Sequence, residues 1–182
     1  AMGDGTLGSE LYLDPGGQPL PFLRAASVRL PVLLLSTLGL SAADLWNLVP
    51  ASAILPILAA VLAILGILVA ALAPVLAAEP GARFCAIGMV VAAVPICATL
   101  PSDRLLTFTG IGALGLVATA IARRDLLSGW RRSVLAALLV AHAALAPLTL
   151  PLRGLVMGFL GRVIDGATLR AGDDRQVGGR TV

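Results

Sequence analysis

The chain has 182 residues, 58% of them hydrophobic and 13% charged, with a mean hydropathy of +0.98 and a net charge of +3. A soluble domain carries about 25% charged residues, so this composition excludes an ordinary water-facing surface and implies an apolar covering. All the basic residues are arginine, aromatics are only 4%, and the arginines are scattered or paired rather than set in a stripe, which argues against a nucleic-acid surface.

Residues 1–19 are rich in glycine and proline and read as a polar loop. In residues 20–44, Arg24 and Arg29 sit inside apolar sequence and Pro31 interrupts it. The unbroken apolar part is about 14 residues, the length of an interfacial or re-entrant helix rather than a span. No charge then appears between Asp44 and Glu79, and the 28 residues of 51–78 exceed what a bilayer crossing needs. Pro56 and Pro74 lie near the ends of that run, where a proline costs least.

Three more apolar runs follow: 84–100, with Pro95 expected to kink it; 105–122, rich in glycine; and 133–152, with His142 as its lone ionisable group. Residues 153–165 place Leu155, Val156, Phe159, Leu160, Val163 and Ile164 at helical spacing, as an amphipathic interfacial helix does. Residues 166–182 read as a polar tail or linker. The polar start and polar end are those expected of a segment of a longer chain, and neither resembles a secretory signal.

Lipid offers no hydrogen bonds to the backbone, so the continuous apolar runs must be helices; a barrel would need shorter, alternating segments. The predicted fold class is an all-α integral membrane bundle of about four transmembrane helices, spanning 51–152, plus two short interfacial helices. Arg123, Arg124, Arg131 and Arg132 crowd the connection 123–132, and the bias of basic residues toward the cytoplasm predicts that this loop is cytoplasmic in a bacterial inner membrane. Trp46 and Trp130 suit the interfacial belt.

Gly110, Gly112 and Gly115 form G-x-G-x-x-G, the spacing of a dinucleotide-binding turn. That turn needs a strand before it and an acidic residue about 20 positions on, whereas Asp125 lies 10 residues past Gly115. Small residues that let membrane helices approach closely are the better reading, since Gly66/Ala70, Gly88/Ala92 and Ala137/Ala141 repeat the spacing. The three glycines are therefore predicted to pack helices, and no cofactor is expected.

His142 is an ionisable group inside an apolar run, a functional candidate by position. Nothing acidic or thiol-bearing stands three or four residues away, so it makes no metal site, and the plainer role is a neutral ring bonded to a neighbouring helix. Asp103 and Arg104 form the turn before the third run, where Ser102 and Asp103 are placed to cap a helix; a gate or substrate contact is the functional alternative. Ser128-Gly129 resembles a fragment of intramembrane serine proteases, but Ser128 lies in the arginine-rich loop, away from His142. Cys85 and Cys97 on one helix are about 18 Å apart and cannot pair within it. No catalytic residue emerges.

Three stretches together, 11–23 (LYLDPGGQPLPFL), 101–124 (PSDRLLTFTGIGALGLVATAIARR) and 141–154 (AHAALAPLTLPLRG), resemble the central region of large multi-pass bacterial membrane proteins of unassigned function. The resemblance implies a membrane-embedded portion of a larger protein, whose partners are the bilayer and further transmembrane helices of the same chain or of an oligomer. Two other classes stand beside it: a transporter or channel subunit with a path lined by spans two to four, and a membrane enzyme acting through Asp103, Arg104 or His142.

Overall fold

The computed structural model describes residues 12–145 and, beyond them, residues 147, 148, 151, 155 and 158. The described residues are all-α, with no strand among them. Five helices follow in order: α1 (Pro19–Thr37), α2 (Ala51–Ala78), α3 (Pro80–Ile96), α4 (Thr107–Ala122) and α5 (Trp130–Val140), the last running into a π-helical turn at Ala141–Leu145. Short 3-10 turns lie at Ala43–Leu48, Asp103–Leu105 and Arg124–Leu126. The chain divides into two units, residues 1–142 and 143–182; in the second, residues 147, 148, 151, 155 and 158 are helical. The interfacial helix predicted at 153–165 and the tail at 166–182 otherwise lie outside the described residues.

α2 occupies the predicted 51–78, because the charges at either side bracket it and no other stop signal intervenes. Its 28 residues make a helix about 42 Å long, more than a bilayer core of about 30 Å. α1 departs from expectation. Pro31 removes the N–H that would reach the Ser27 carbonyl, yet the helix runs through it for 19 residues. Packing overrides the local cost: Val32, Leu33, Leu35, Ser36 and Thr37, all just past the proline, are buried. α1 ends at a Gly39 with φ +74, where Gly39 N–H donates to the Ser36 carbonyl and Leu40 N–H to that of Leu35, the paired bonds of a Schellman cap.

α3 begins four residues before the apolar run, because Pro80 at the first helical position is preset for it and Arg83 N–H reaches back to the Glu79 carbonyl. It ends at Ile96, so Pro95 sits in the last turn and terminates the helix instead of kinking its middle. α4 takes up Thr107, Phe108 and Thr109 as well as the glycines, with Leu105 closing the 3-10 turn and Leu106 at the N-cap. No strand precedes the glycines and no turn holds them, so the dinucleotide reading fails on geometry. Among the described residues α1 and α2 are the two helices long and apolar enough to cross a membrane, while α3 and α4 are shorter, at 17 and 16 residues.

The closest pairing is antiparallel α3 against α4. A Cβ on Gly112 would come within 2.8 Å of the Cys85 carbonyl oxygen and 3.0 Å of the Met89 nitrogen; one on Gly115 would come within 2.6 Å of the Cys85 thiol. Ala82, Ala113 and Ala120 are fully buried in the same core. Small side chains thus let two backbones nearly touch. Gly110 differs from the prediction: nothing lies within 4 Å of its Cβ position, because it is set two residues from Gly112 and so turns away from α3. Gly66 and Gly88 likewise face open space.

The three glycines are expected to separate on substitution. Gly112→Ala pushes on backbone and should cost about 1–3 kcal/mol in the detergent-solubilised protein. Gly115→Ala should cost less, since the Cys85 thiol can rotate away. Gly110→Ala should gain up to about 1 kcal/mol from helix propensity alone. Unfolding midpoints of the three variants in one detergent check the order, and a Gly110→Ala loss equal to that of Gly112→Ala would refute it.

Candidate functional site

The described polar side chains gather at the two ends of the helices. The first group surrounds the turn from α3 to α4. The last carbonyls of α3 are met locally, those of Val94, Pro95 and Ile96 by the N–H groups of Cys97, Ala98 and Thr99 and that of Ala93 by the Cys97 thiol. The next three, in the turn beyond the helix, are supplied by residues from the N-terminal part of the chain. Arg29 Nη1 donates to the carbonyls of Cys97 (2.8 Å) and Thr99 (2.9 Å), and Leu13 N–H donates to that of Ala98 (2.8 Å). Three consecutive carbonyls of the turn just after α3 are satisfied, and a cation sits near the negative end of the α3 dipole. Phe22, Leu33, Ala43, Cys97, Ala98 and Leu106 close an apolar cluster around this clamp.

The turn is held at further points. Asn47 Nδ2 donates to the Pro101 carbonyl (3.0 Å), and Asp103 Oδ1 accepts from the Ala43 N–H (2.8 Å). Thr37 and the fully buried Thr109 each bond a carbonyl of their own helical turn, and their hydroxyls lie 3.1 Å apart. The predicted capping by Ser102 and Asp103 is not made: α4 starts at Thr107 with no side-chain cap, and the Asp103 carboxylate serves the 43–48 turn instead. The intervening 3-10 turn at Asp103–Leu105 puts these residues too far ahead of the first α4 N–H groups. Arg104 flanks the same turn and has an interaction of its own.

His142 stands in the π-helical turn after α5. Its Nδ1 lies 2.9 Å from the Leu138 carbonyl in its own helix, not a neighbouring one as expected. A carbonyl only accepts, so Nδ1 carries the proton, and in the neutral ring Nε2 is the lone-pair nitrogen. Nε2 is buried without a partner, and the ring lies against Gly39, whose Cβ position is 3.4 Å from Cε1. His142 is thus positioned by Leu138 and Gly39, and Asp103 by the Ala43 N–H. No group of three or more potential metal ligands exists among the described residues. Both cysteines are free thiols, Cys97 donating weakly to the Ala93 carbonyl at 3.4 Å.

The second polar group is the loop 123–132. Arg123 pairs with Glu79 at 2.6 Å, tying the end of α4 to the α2–α3 corner. Arg132 Nε donates to the Leu127 carbonyl (2.7 Å), and the Arg131 guanidinium lies 5.8 Å over the Trp130 ring. Gly129, at φ +54, makes the turn into α5 that places these arginines. Ser128 is exposed in this loop and has no histidine beside it in any described contact. Sequence reasoning identified this loop by its arginines. It missed Arg29 and Asn47 as clamps; a cation in an otherwise apolar helix was the available signal.

No family model matches the chain, and no match is found among curated proteins or among solved structures.

Arg29→Met is expected to lower stability by about 2–3 kcal/mol, the worth of charge-assisted hydrogen bonds whose acceptors are left without partners. Arg29→Lys should lose less, because an ammonium can still reach one carbonyl. Asp103→Ala is expected to cost about 1–2 kcal/mol and Asp103→Asn less, since the amide oxygen still accepts from Ala43. Denaturation of each variant in detergent measures the differences; equal losses for Met and Lys at position 29 would contradict the clamp.

Proposed function

We propose that this chain is the membrane-embedded part of a larger bacterial protein. In this reading α2, α3 and α4 cross the bilayer, α5 opens the fourth crossing expected over 133–152, and α1 lies along one interface. One observation carries it: the apolar surface of α2 faces outward. Only 11% of its most apolar stretch is buried, and Leu55, Leu62, Ile64, Ile67 and Val69 are exposed. The core helix of a soluble protein passes the same test of length and composition, but it hides such residues inside. Leaving this surface in water forfeits about 25 cal/mol for each square ångström that could be buried.

α3 and α4 support the same reading, with Phe84 78% and Phe108 76% exposed and Ile87, Val91, Ile111 and Leu114 also outward. Charges stay at the ends of the helices that follow α1: none lies within α2 or α4, and those of α3 and α5 fall in their first turns. The 3-10 turns before and after α4 lengthen a helix that is short alone. The interfacial place of α1 is favoured by its polar contacts. Arg29 and Thr37 of α1, and Leu13 before it, all bond to the stretch 97–109, where α3 stops and α4 starts.

Glu79, Arg83 and the loop 123–132 share one end through the Arg123–Glu79 pair. Five arginines there favour the cytoplasmic side. In a Cys85→Ser, Cys97→Ser background, Leu62→Cys is expected to resist a membrane-impermeant maleimide, and Ser128→Cys to react only once the inner membrane is permeabilised. The chain itself should stay with membranes after alkaline carbonate extraction. Release by carbonate, or ready labelling at position 62, would end the bilayer reading; labelling of position 128 from outside would reverse the orientation alone.

A further inference from the structure

We infer that the pocket beside the loop 123–132 binds one anionic phospholipid, its phosphodiester on Arg124 and Arg132 and an acyl chain along α5. The inference rests on the bilayer reading above. The pocket has a volume of about 550 Å³ and is lined by Arg124, Asp125, Arg132, Leu135, Ala136 and Leu139. That volume is within the range of small-ligand sites. Arg132, Leu135, Ala136 and Leu139 follow one another at helical spacing, so one face of α5 carries the charge at its start and apolar wall beyond. A lipid has the same order: a charged group at the membrane surface and hydrocarbon below it.

The charges select among anions. Two arginines and one aspartate line the pocket, a balance of one positive charge. A phosphodiester carries one negative charge and neutralises that balance, whereas a terminal phosphate carries nearly two and would leave excess negative charge beside the apolar wall. Arg132 is already oriented, because its Nε is held by the Leu127 carbonyl; its Nη groups are the donors suited to two phosphate oxygens. Arg123 is engaged with Glu79 and Arg131 lies over Trp130, so neither belongs to the pocket lining. Free phosphate would use the charged end alone and leave the apolar wall without an occupant.

The test uses the whole chain with Trp46→Phe, which leaves Trp130, two residues before Arg132, as the fluorophore. It is reconstituted in vesicles containing brominated phosphatidylglycerol or brominated phosphatidylcholine, each of which quenches a tryptophan it contacts. Trp130 is expected to be quenched preferentially by the anionic lipid, by about fivefold for each arginine engaged. Arg124→Gln, an exposed side chain whose loss leaves the Arg132–Leu127 bond in place, should cut the preference about fivefold, and Arg124→Gln/Arg132→Gln should abolish it. Arg123→Gln/Arg131→Gln should leave it within about twofold; an equal loss there would assign the effect to diffuse loop charge and overturn the pocket. Displacement of the lipid by excess inorganic phosphate would make this an oxyanion site and overturn the lipid assignment. Protein that floats with vesicles but shows no lipid preference refutes the pocket and spares the bilayer reading, whereas protein that never floats with vesicles refutes both.

Discussion

Everything at one end of this molecule depends on the carbonyls of the turn in which α3 stops, Cys97 to Thr99. A helix that finishes among apolar side chains cannot leave them to water, and Pro95 ensures that it finishes there. Arg29 and the Leu13 N–H answer three of them in succession. Because the donors come from before and within α1, meeting this need also anchors α1, and the apolar cluster of Phe22, Leu33 and Leu106 forms around the contact. A cation that would be costly in hydrocarbon becomes the cap of a helix dipole.

The middle of the molecule is organised by a different rule. α3 and α4 approach until only hydrogen fits at Gly112, and buried alanines continue that seam. Phe84, Phe108, Ile111 and Leu114 are turned outward from it, toward the proposed lipid, while leucines and valines such as Leu72, Val75, Leu116 and Leu138 fill the rest of the core. This puts large apolar groups on the surface as well as inside. It also leaves the ends as the places where ionic chemistry is concentrated, with hydrogen-bonded turns at one and arginines at the other.

Much of this was readable in the residues because it is local. α2 coincides with its charge-free run, and helices follow from continuous apolar sequence. What escaped was non-local or depended on a few degrees of rotation. Asp103 has the right type and spacing to cap a helix, yet a 3-10 turn and the Ala43 N–H claim it. Arg29 finds its partners 68 and 70 residues away, which no pattern in α1 announces. Gly110 and Gly112 look alike in sequence, and only the helical phase decides that one touches α3 and the other nothing. Pro31 resembles a break until the buried residues after it are known to hold the helix together.

The separation between Arg29 and its acceptors has a bearing on biogenesis. α1 is synthesised well before Cys97 and Thr99 exist, so during translation its guanidinium has no carbonyl to receive it. Seating α1 permanently must wait until the α3–α4 hairpin, whose contacts are near in sequence and quick to form, has emerged. Until then the Arg29 side chain has water as its partner, and a hairpin made later settles where the first helix comes to rest.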